Sequence, residues 1–325
     1  MQKTAINYEK MYELLILARK IDERFWQLNR AGEAPFVISG KGHEGFQVAL
    51  AQLLNQKIDW MAPYYRDLPL VLGFGETPKS VFLNLLSKAD DTNSGGRQMA
   101  FHWGNQANHI LSHSSPVTTQ FLHACGVALA LKKQGQPGIV VTTVGDGSTS
   151  QGDFHEALNF ASVFNLPVLF IIENNHIAMS VAQEDQYKQK DFSGFGQAYQ
   201  IKYAKIDGTN VMSSYQDLQK IIEEMRAEPQ PVLVEADVVR LTAHSSDDDG
   251  SYLNEQERNY QENKDPVTIF QQELLAQQLL SQEKMTEIEE QISDLIDEVT
   301  EEALAAADPA ADTLEQFVYE EGEGK

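Results

Sequence analysis

"GDGSTSQGDFHEALNFASVFNLPVLFIIENN", residues 145–175, is the stretch on which the fold turns. An apolar run at 138–144 stops at Asp146, an amphipathic segment covers 150–164, and a second apolar run at 167–173 stops at Asn174 and Asn175. Strand, helix, strand is the natural reading, and short apolar strands alternating with helices indicate a parallel sheet covered on both faces. Two parallel strands joined by a helix open their carboxyl ends on one sheet edge, where ligands of open α/β sheets bind. Asp146 and Asn175, 29 positions apart, would therefore converge on one site.

A carboxylate beside an amide oxygen is hard-ligand chemistry. It suits Mg²⁺, which takes one or two protein carboxylates and completes its octahedron with phosphate oxygens, so a diphosphate is the expected third party. Gly145 and Gly147 permit close backbone approach, and the amides of Gly147, Ser148 and Thr149 precede a helix whose N-terminus favours anions. The stretch has neither the spaced lysine of a P-loop nor GxGxxG, which argues against nucleoside triphosphates and dinucleotides. A lone GDG would be read as a turn or helix cap, with the asparagines closing a loop. Helix, strand and NN at this spacing outweigh that plainer reading.

Outward from this unit, the pattern predicts a helix at 117–134, strands at 201–206 and 231–240, and a helix at 213–226 between them. The expected fold class is α/β, a mostly parallel sheet with helices on both faces and helical extensions at both ends. Met11, Leu14, Leu15, Ala18, Ile21 and Phe25 mark a helix over 8–30, and "HEGFQVALAQLLNQ" (43–56) a second. Stretches 38–45 and 90–115 read as long loops, which in compact domains tend to be functional. The first 115 residues contain no clear parallel-strand series. After a polar loop at 243–264 come the C-terminal helices (265–320), the second carrying Met285, Ile288, Ile292, Leu295, Ile296 and Val299 on one stripe; "EEGEGK" reads as a frayed tail. The chain is expected to form a single domain with its core at about 95–260, and shows no internal repeat.

The 325 residues are 42% hydrophobic, enough for a large core. A formal charge of −23 argues against nucleic acid and anionic membranes as partners. An anionic ligand needs local cations, which suffice: the global field is screened beyond about 8 Å, while a cation about 4 Å from a phosphate gains roughly 4 kcal/mol. No apolar run approaches the roughly 20 residues that span a bilayer. With one cysteine, Cys125, and no basic-then-apolar leader pattern, a cytoplasmic address is expected. Cys125 lies among apolar residues and reads as a buried, inert thiol. His109 and His113 have a spacing compatible with zinc on a helix, but the glycine, serine and asparagine around them and His102 argue against one.

GDG followed just under thirty residues later by NN resembles the signature of thiamine-diphosphate enzymes. Together with "PYYRD" (63–67), "GGRQM" (95–99), "SSPVTTQ" (114–120) and "RLTAHSSDDDGSY" (240–252), it resembles the α subunit of the decarboxylating component of 2-oxo acid dehydrogenase complexes, from about residue 8 to about 319. The GRQM and HSSDDD segments are similar to those of branched-chain members, here of bacterial type, rather than pyruvate dehydrogenases. The resemblance implies the thiamine-diphosphate-binding fold. It also implies oxidative decarboxylation of a small-molecule branched-chain 2-oxo acid, with acyl transfer to the lipoyl group of an acyltransferase component. Asp146, Asn175 and the carbonyl of Ile177 would hold Mg²⁺, and Gly147 and Ser148 would touch the phosphates. Tyr65, Arg66, Ser115 and Val117 match positions around cofactor and substrate; Arg240 and His244 match the basic residues near the diphosphate and the reacting centre, with His244 the best candidate for a catalytic side chain. Ser114, Pro116, Thr119 and Gln120 match a potassium site of branched-chain members.

The family places the glutamate that activates the cofactor on a separate β subunit, which implies an α₂β₂ heterotetramer with sites between subunits. Ile177 stands where many relatives have an aromatic residue, to which a carbonyl ligand is indifferent, and Glu173 stands where some have a phosphate-contacting arginine, so that contact is absent. Ser245 matches the serine phosphorylated in animal members, and Asp247, Asp248 and Asp249 are expected to help fold their loop over the cofactor mouth. The alternatives are a pyruvate dehydrogenase α subunit and, in a different class, a non-catalytic Mg²⁺-diphosphate scaffold; Arg66, Arg240 and His244 beside the metal motif disfavour the latter.

Overall fold

The structure, a computed structural model, describes residues 6–316. The chain runs through helices α1 (Tyr8–Ala31) and α2 (Glu44–Leu53), strand β1 (Trp60–Ala62), helices α3 (Leu68–Gly73), α4 (Pro78–Leu85) and α5 (Thr119–Gln134), strand β2 (Val140–Gly145), helix α6 (Gly152–Phe164) and strand β3 (Val168–Asn174). A small hairpin, β4 (Ile177–Ala178) and β5 (Val181–Ala182), and short helices α7 (Gln183–Gln186) and α8 (Ser193–Tyr199) lead to β6 (Lys202–Asp207), α9 (Val211–Ala227) and β7 (Val232–Asp237). Helices α10 (Glu255–Glu262), α11 (Pro266–Ala276) and α12 (Gln282–Ala305) follow.

Five strands form one all-parallel sheet in the order β1-β2-β3-β7-β6. Strand alternation divides its side chains between two cores. Leu169 and Ile171 of β3 join the apolar faces of α1, α2, α9 and α12 on one side. Val168, Phe170 and Ile172 join α5 and α6 on the other. Helix α6 supplies Phe154, Ala157, Leu158 and Ala161, one stripe at helical spacing, all buried. Burying a side chain the size of Phe154 contributes about 1.5–3 kcal/mol, so the face that docks α6 also fixes where β2 and β3 end. Their register runs from Val140 opposite Val168 to Gly145 opposite Glu173, which brings Asp146 and Asn175 to one edge as the spacing predicts.

The sheet, both helical layers and the predicted central elements are present, with boundaries shifted by a few residues. Helix α5 starts at Thr119 rather than 117 because Thr118 adopts a left-handed backbone (φ 75°). As expected, the described part of the first 115 residues holds no parallel-strand series; β1 is three residues long, too short for a periodicity signal, and helices α3 and α4 follow it. Two expectations need correction. The polar loop at 243–264 contains α10, held by a reciprocal Asn254–Glu257 cap; none of its residues is buried, so it carries no apolar stripe to read. In α12, Met285, Ile288, Ile292, Ile296 and Val299 face the core, whereas Leu295 is exposed. "EEGEGK" lies outside the described residues. Among the described residues no helix is long and apolar enough to cross a membrane.

Candidate functional site

Backbone geometry builds the site first. Gly145 ends β2, and residues Asp146–Ser150 form a 3₁₀ turn before α6 begins at Gly152. The amides of Gly147 and Ser148 thus belong to this turn rather than to the first turn of α6. Thr149 Oγ1 and Tyr187 Oη both donate to the Asp146 carbonyl, at 2.7 and 3.2 Å, and fix the turn. A Cβ on Gly147 would lie 2.4 Å from Ala178 Cβ, so only glycine lets the turn pass this close to the β4–β5 hairpin.

The two asparagines have different tasks. Asn174 is fully buried, donates to Glu235 and accepts from the His176 amide. Asn175 lines the cleft; its Oδ1 accepts from the Ile177 amide at 3.2 Å and its Nδ2 donates to His43 Nε2 at 3.1 Å. Strand alternation sends them to opposite faces, and only the second meets the site.

The cleft, about 370 Å³, opens at the carboxyl ends of β2 and β3. Tyr65, Arg66, Ser115 and Val117 line it together with Gly145, Asp146, Gly147 and Ser148. Asn175, Ile177, Arg240 and His244 complete the set read from the sequence. Tyr64, Ala178 and Met179 also line it and had not been singled out. Of these, Tyr64 was within reach in the PYYRD segment, whereas Met179 contributes a backbone carbonyl that no side-chain pattern signals.

Polar atoms left without partners show what the cleft can hold. Asp146 is buried and its Oδ2 has no hydrogen-bond partner among the described residues. Burial pushes its carboxyl up to about 6, a cost that a bound cation would offset. Arg240 is buried, donates to the Met179 carbonyl and to Tyr252 Oη, and leaves Nε without a partner among the described residues. Arg66 is buried too and donates to the carbonyls of Ser39 and His244 and to His244 Nδ1. Burial, and then the charge of Arg66, pulls Arg240 below its ordinary range. Neither guanidinium is hydrogen-bonded to a carboxylate among the described residues. Asp248, bridged through Tyr252, and Asp146 act on Arg240 without bonding it directly, so the two buried cations are only partly balanced and suit an anion.

His244 shares this environment. Burial, followed by the charges of Arg66 and Arg240, lowers it to about 4, so it is neutral near pH 7. Because Nδ1 accepts from Arg66 at 3.1 Å, its proton sits on Nε2. Asp248 orders the loop around it by accepting from the amides of His244 and Gly250 and from Tyr252 Oη; Asp249 accepts from the Ser251 amide. The glycine-rich segment 37–42 holds this loop, since Leu241 and Ser246 amides donate to the carbonyls of Lys41 and Val37. Gly42 (φ 97°) lies where a Cβ would be 2.2 Å from the Val239 carbonyl oxygen. Ser245 is buried.

Ser114 and Pro116 alternate with the cleft residues Ser115 and Val117 on the segment entering α5, and Thr119 and Gln120 are the first two residues of that helix. Gln120 donates to the Thr143 carbonyl and leaves Oε1 buried without a partner among the described residues, an oxygen suited to a hard cation. His109 stacks on Trp60 and bonds the Asp59 carbonyl, and His113 bonds the Pro63 carbonyl; both brace the 90–115 loop against β1. His102 meets Ser115 at 2.6 Å. Burial pushes the Cys125 thiol up to about 12, as expected of an inert core cysteine.

Glu173 points away from the cleft. It is fully buried among His43, Gln47, Tyr64 and Asp67, and burial together with Asp67 holds its carboxyl well above the usual range. The missing arginine contact thus becomes a buried polar cluster behind Asn175. His43 and Gln47 had been read only as part of the amphipathic second helix.

Parallel sheet, glycine turn and orphan polar groups define an α/β chain whose strand ends open on a cleft with two buried guanidinium groups and a carboxylate oxygen that has no partner among the described residues. The chain belongs to the dehydrogenase E1 component family, which matches residues 12–312. It is 42% identical over 310 residues to the Bacillus subtilis 2-oxoisovalerate dehydrogenase subunit alpha, covering 95% of this chain and 94% of that one. It is 31% identical over 312 residues to a Mycobacterium tuberculosis 3-methyl-2-oxobutanoate dehydrogenase subunit alpha, covering 96% and 82%. The mouse mitochondrial 2-oxoisovalerate dehydrogenase subunit alpha is 31% identical over 314 residues, covering 96% and 71%.

Proposed function

We propose that this chain is the α subunit of a branched-chain 2-oxo acid dehydrogenase, an oxidoreductase that decarboxylates 3-methyl-2-oxobutanoate and related acids and passes the acyl group to a lipoyl disulfide. The observation that carries the reading is the coincidence, in one cleft, of the orphaned Asp146 carboxylate oxygen with Arg66 and Arg240, neither of them hydrogen-bonded to a carboxylate among the described residues. Bound thiamine diphosphate would supply the electron sink for loss of CO₂. This chain would provide the grip and the charge. Asp146 Oδ2, Asn175 Oδ1 and the Ile177 carbonyl would hold Mg²⁺ against the diphosphate, a set consistent with a magnesium ion that keeps phosphate ligands. The amides of Gly147 and Ser148 and the free Nε of Arg240 would donate to phosphate oxygens. Tyr65 carries the Arg66 guanidinium 5.2 Å above its ring and would brace it beside the substrate. His244, neutral with its proton on Nε2, would donate to the substrate or lipoyl group.

The α subunit would work in an α₂β₂ heterotetramer in the cytoplasm, with the β subunit closing the cleft and supplying the glutamate that activates the cofactor. K⁺ at Ser114, Pro116, Thr119 and Gln120 would order the segment beneath the cofactor, with Gln120 Oε1 as the natural ligand atom. The lipoyl-bearing acyltransferase component is the proposed acceptor. Steady-state kinetics of the reconstituted α and β chains test the substrate. A higher kcat/KM for 2-oxoisovalerate than for pyruvate is expected, and the opposite order makes the chain a pyruvate dehydrogenase subunit.

The close approach at Gly147 yields a second expectation. Gly147→Ala forces the turn away from Ala178, and overpacking of about 1–3 kcal/mol corresponds to roughly 5- to 150-fold weaker cofactor binding. Calorimetric titration of the heterotetramer with thiamine diphosphate in excess Mg²⁺ measures it; unchanged affinity removes the turn from the diphosphate cradle.

A further inference from the structure

We propose that His43, held in one tautomer by Glu173, is a positioning residue that aims the Asn175 carboxamide oxygen at the metal. The inference rests on the Mg²⁺ reading above. Its basis is a hydrogen-bond chain whose directions are forced from one end. The Ile177 amide can only donate, and it points at Asn175 Oδ1, 3.2 Å away. The other carboxamide atom must then be Nδ2, which donates to His43 Nε2 at 3.1 Å. His43 Nε2 therefore acts as acceptor, and its proton sits on Nδ1, which donates to Glu173 Oε2 at 2.6 Å. Glu173 is anchored in turn by Gln47 Nε2 at 3.1 Å and Tyr64 Oη at 3.1 Å. His43, Gln47 and Glu173 are entirely buried, so solvent does not reach the links among them.

Without an acceptor at His43, only the Ile177 amide at 3.2 Å opposes a turn of the Asn175 carboxamide that would present NH₂, a group with no affinity for a cation, to the cleft. Groups that orient a metal ligand typically account for 10- to 100-fold in metal affinity. The β3 strand delivers the arrangement through its alternation: Glu173 and Asn175, two residues apart, face α2, at whose N-terminus His43 lies.

The test is Mn²⁺ binding to the reconstituted heterotetramer in saturating thiamine diphosphate, read from the electron paramagnetic resonance signal of free Mn²⁺ and compared among His43→Met, His43→Gln and Asp146→Asn. Methionine fills the space but offers no strong acceptor, whereas the glutamine oxygen can stand where Nε2 stood. His43→Met is expected to weaken Mn²⁺ binding 10- to 100-fold and His43→Gln less than about threefold. Wild-type affinity in His43→Met, or equal losses in both variants, overturns the inference. If His43→Met does not assemble, His43→Leu, which also lacks an acceptor, takes its place beside His43→Gln: a loss of about tenfold or more in the leucine variant alone sustains the inference, and wild-type affinity in it or equal losses in both overturn it. Asp146→Asn separates the two levels, because undiminished Mn²⁺ binding there removes the metal site itself, while a loss there with normal binding in His43→Met removes only the role of His43.

Discussion

Asp146→Asn should abolish thiamine-diphosphate-dependent activity of the reconstituted heterotetramer, by at least about 100-fold at any attainable Mg²⁺ concentration, while the metal-free protein becomes more stable at neutral pH. Both halves come from one atom. Oδ2 of Asp146 is buried without a partner among the described residues, so the carboxylate there is desolvated and waits for a cation. Burial raises the folded-state value from 3.8 to about 6, so the folded chain disfavours the ionised form. Below about pH 4 the group is neutral in folded and unfolded chains alike and costs nothing. As pH rises through 6 the unfolded chain gains relative stability, up to about 3 kcal/mol. Asparagine removes that cost, so its advantage in thermal unfolding after chelation should be present at pH 7 and vanish near pH 4. Calorimetric cofactor titration and thermal melts measure the two effects. Full activity in Asp146→Asn would dismiss the carboxylate as a metal ligand.

His244→Ala should lower kcat by roughly 10²- to 10⁴-fold while affinity for thiamine diphosphate and Mg²⁺ stays within a few-fold. The split follows from position: His244 lines the cleft and is bonded to Arg66, whereas Asp146, Asn175 and the 146–150 turn, which would grip the diphosphate, are elsewhere in the chain. Because burial and the two arginines lower His244 to about 4, its neutral form persists through the physiological range. Pre-steady-state decarboxylation and acyl transfer to a lipoyl domain locate the affected step. A wild-type rate profile with an inflection near pH 6.5 that disappears in His244→Ala contradicts a neutral donor.

The βαβ unit around GDG and NN was legible because its signals are local. Apolar runs of strand length, an α6 stripe at helical spacing and oxygen-bearing residues at both strand ends all appear between residues 138 and 175. Strand β1 was not legible, since three residues carry no periodicity, and α10 was not, since it is polar all round and relies on its cap. Motif resemblance supplied Tyr65, Arg66, Arg240 and His244, which no spacing argument could bring together across 180 residues of chain. The polar cluster behind them escaped both approaches: His43 and Gln47 sit on a helix whose pattern signals burial, and burial alone does not say which buried groups meet.

By itself the sequence determined the class of fold and pointed to cation-plus-diphosphate chemistry at its strand ends, because strand and helix periodicity and the order Asp146, helix, Asn175 are properties of the chain read locally. Only the tertiary structure decided that Asn174 is buried against Glu235, that Glu173 turns inward to His43, and that Arg66 and Arg240 stand together in one cleft. Alternation along β3 says that neighbours face opposite ways; which face carries the site depends on how α2 and the 239–246 loop pack across it, a long-range choice made by the whole core.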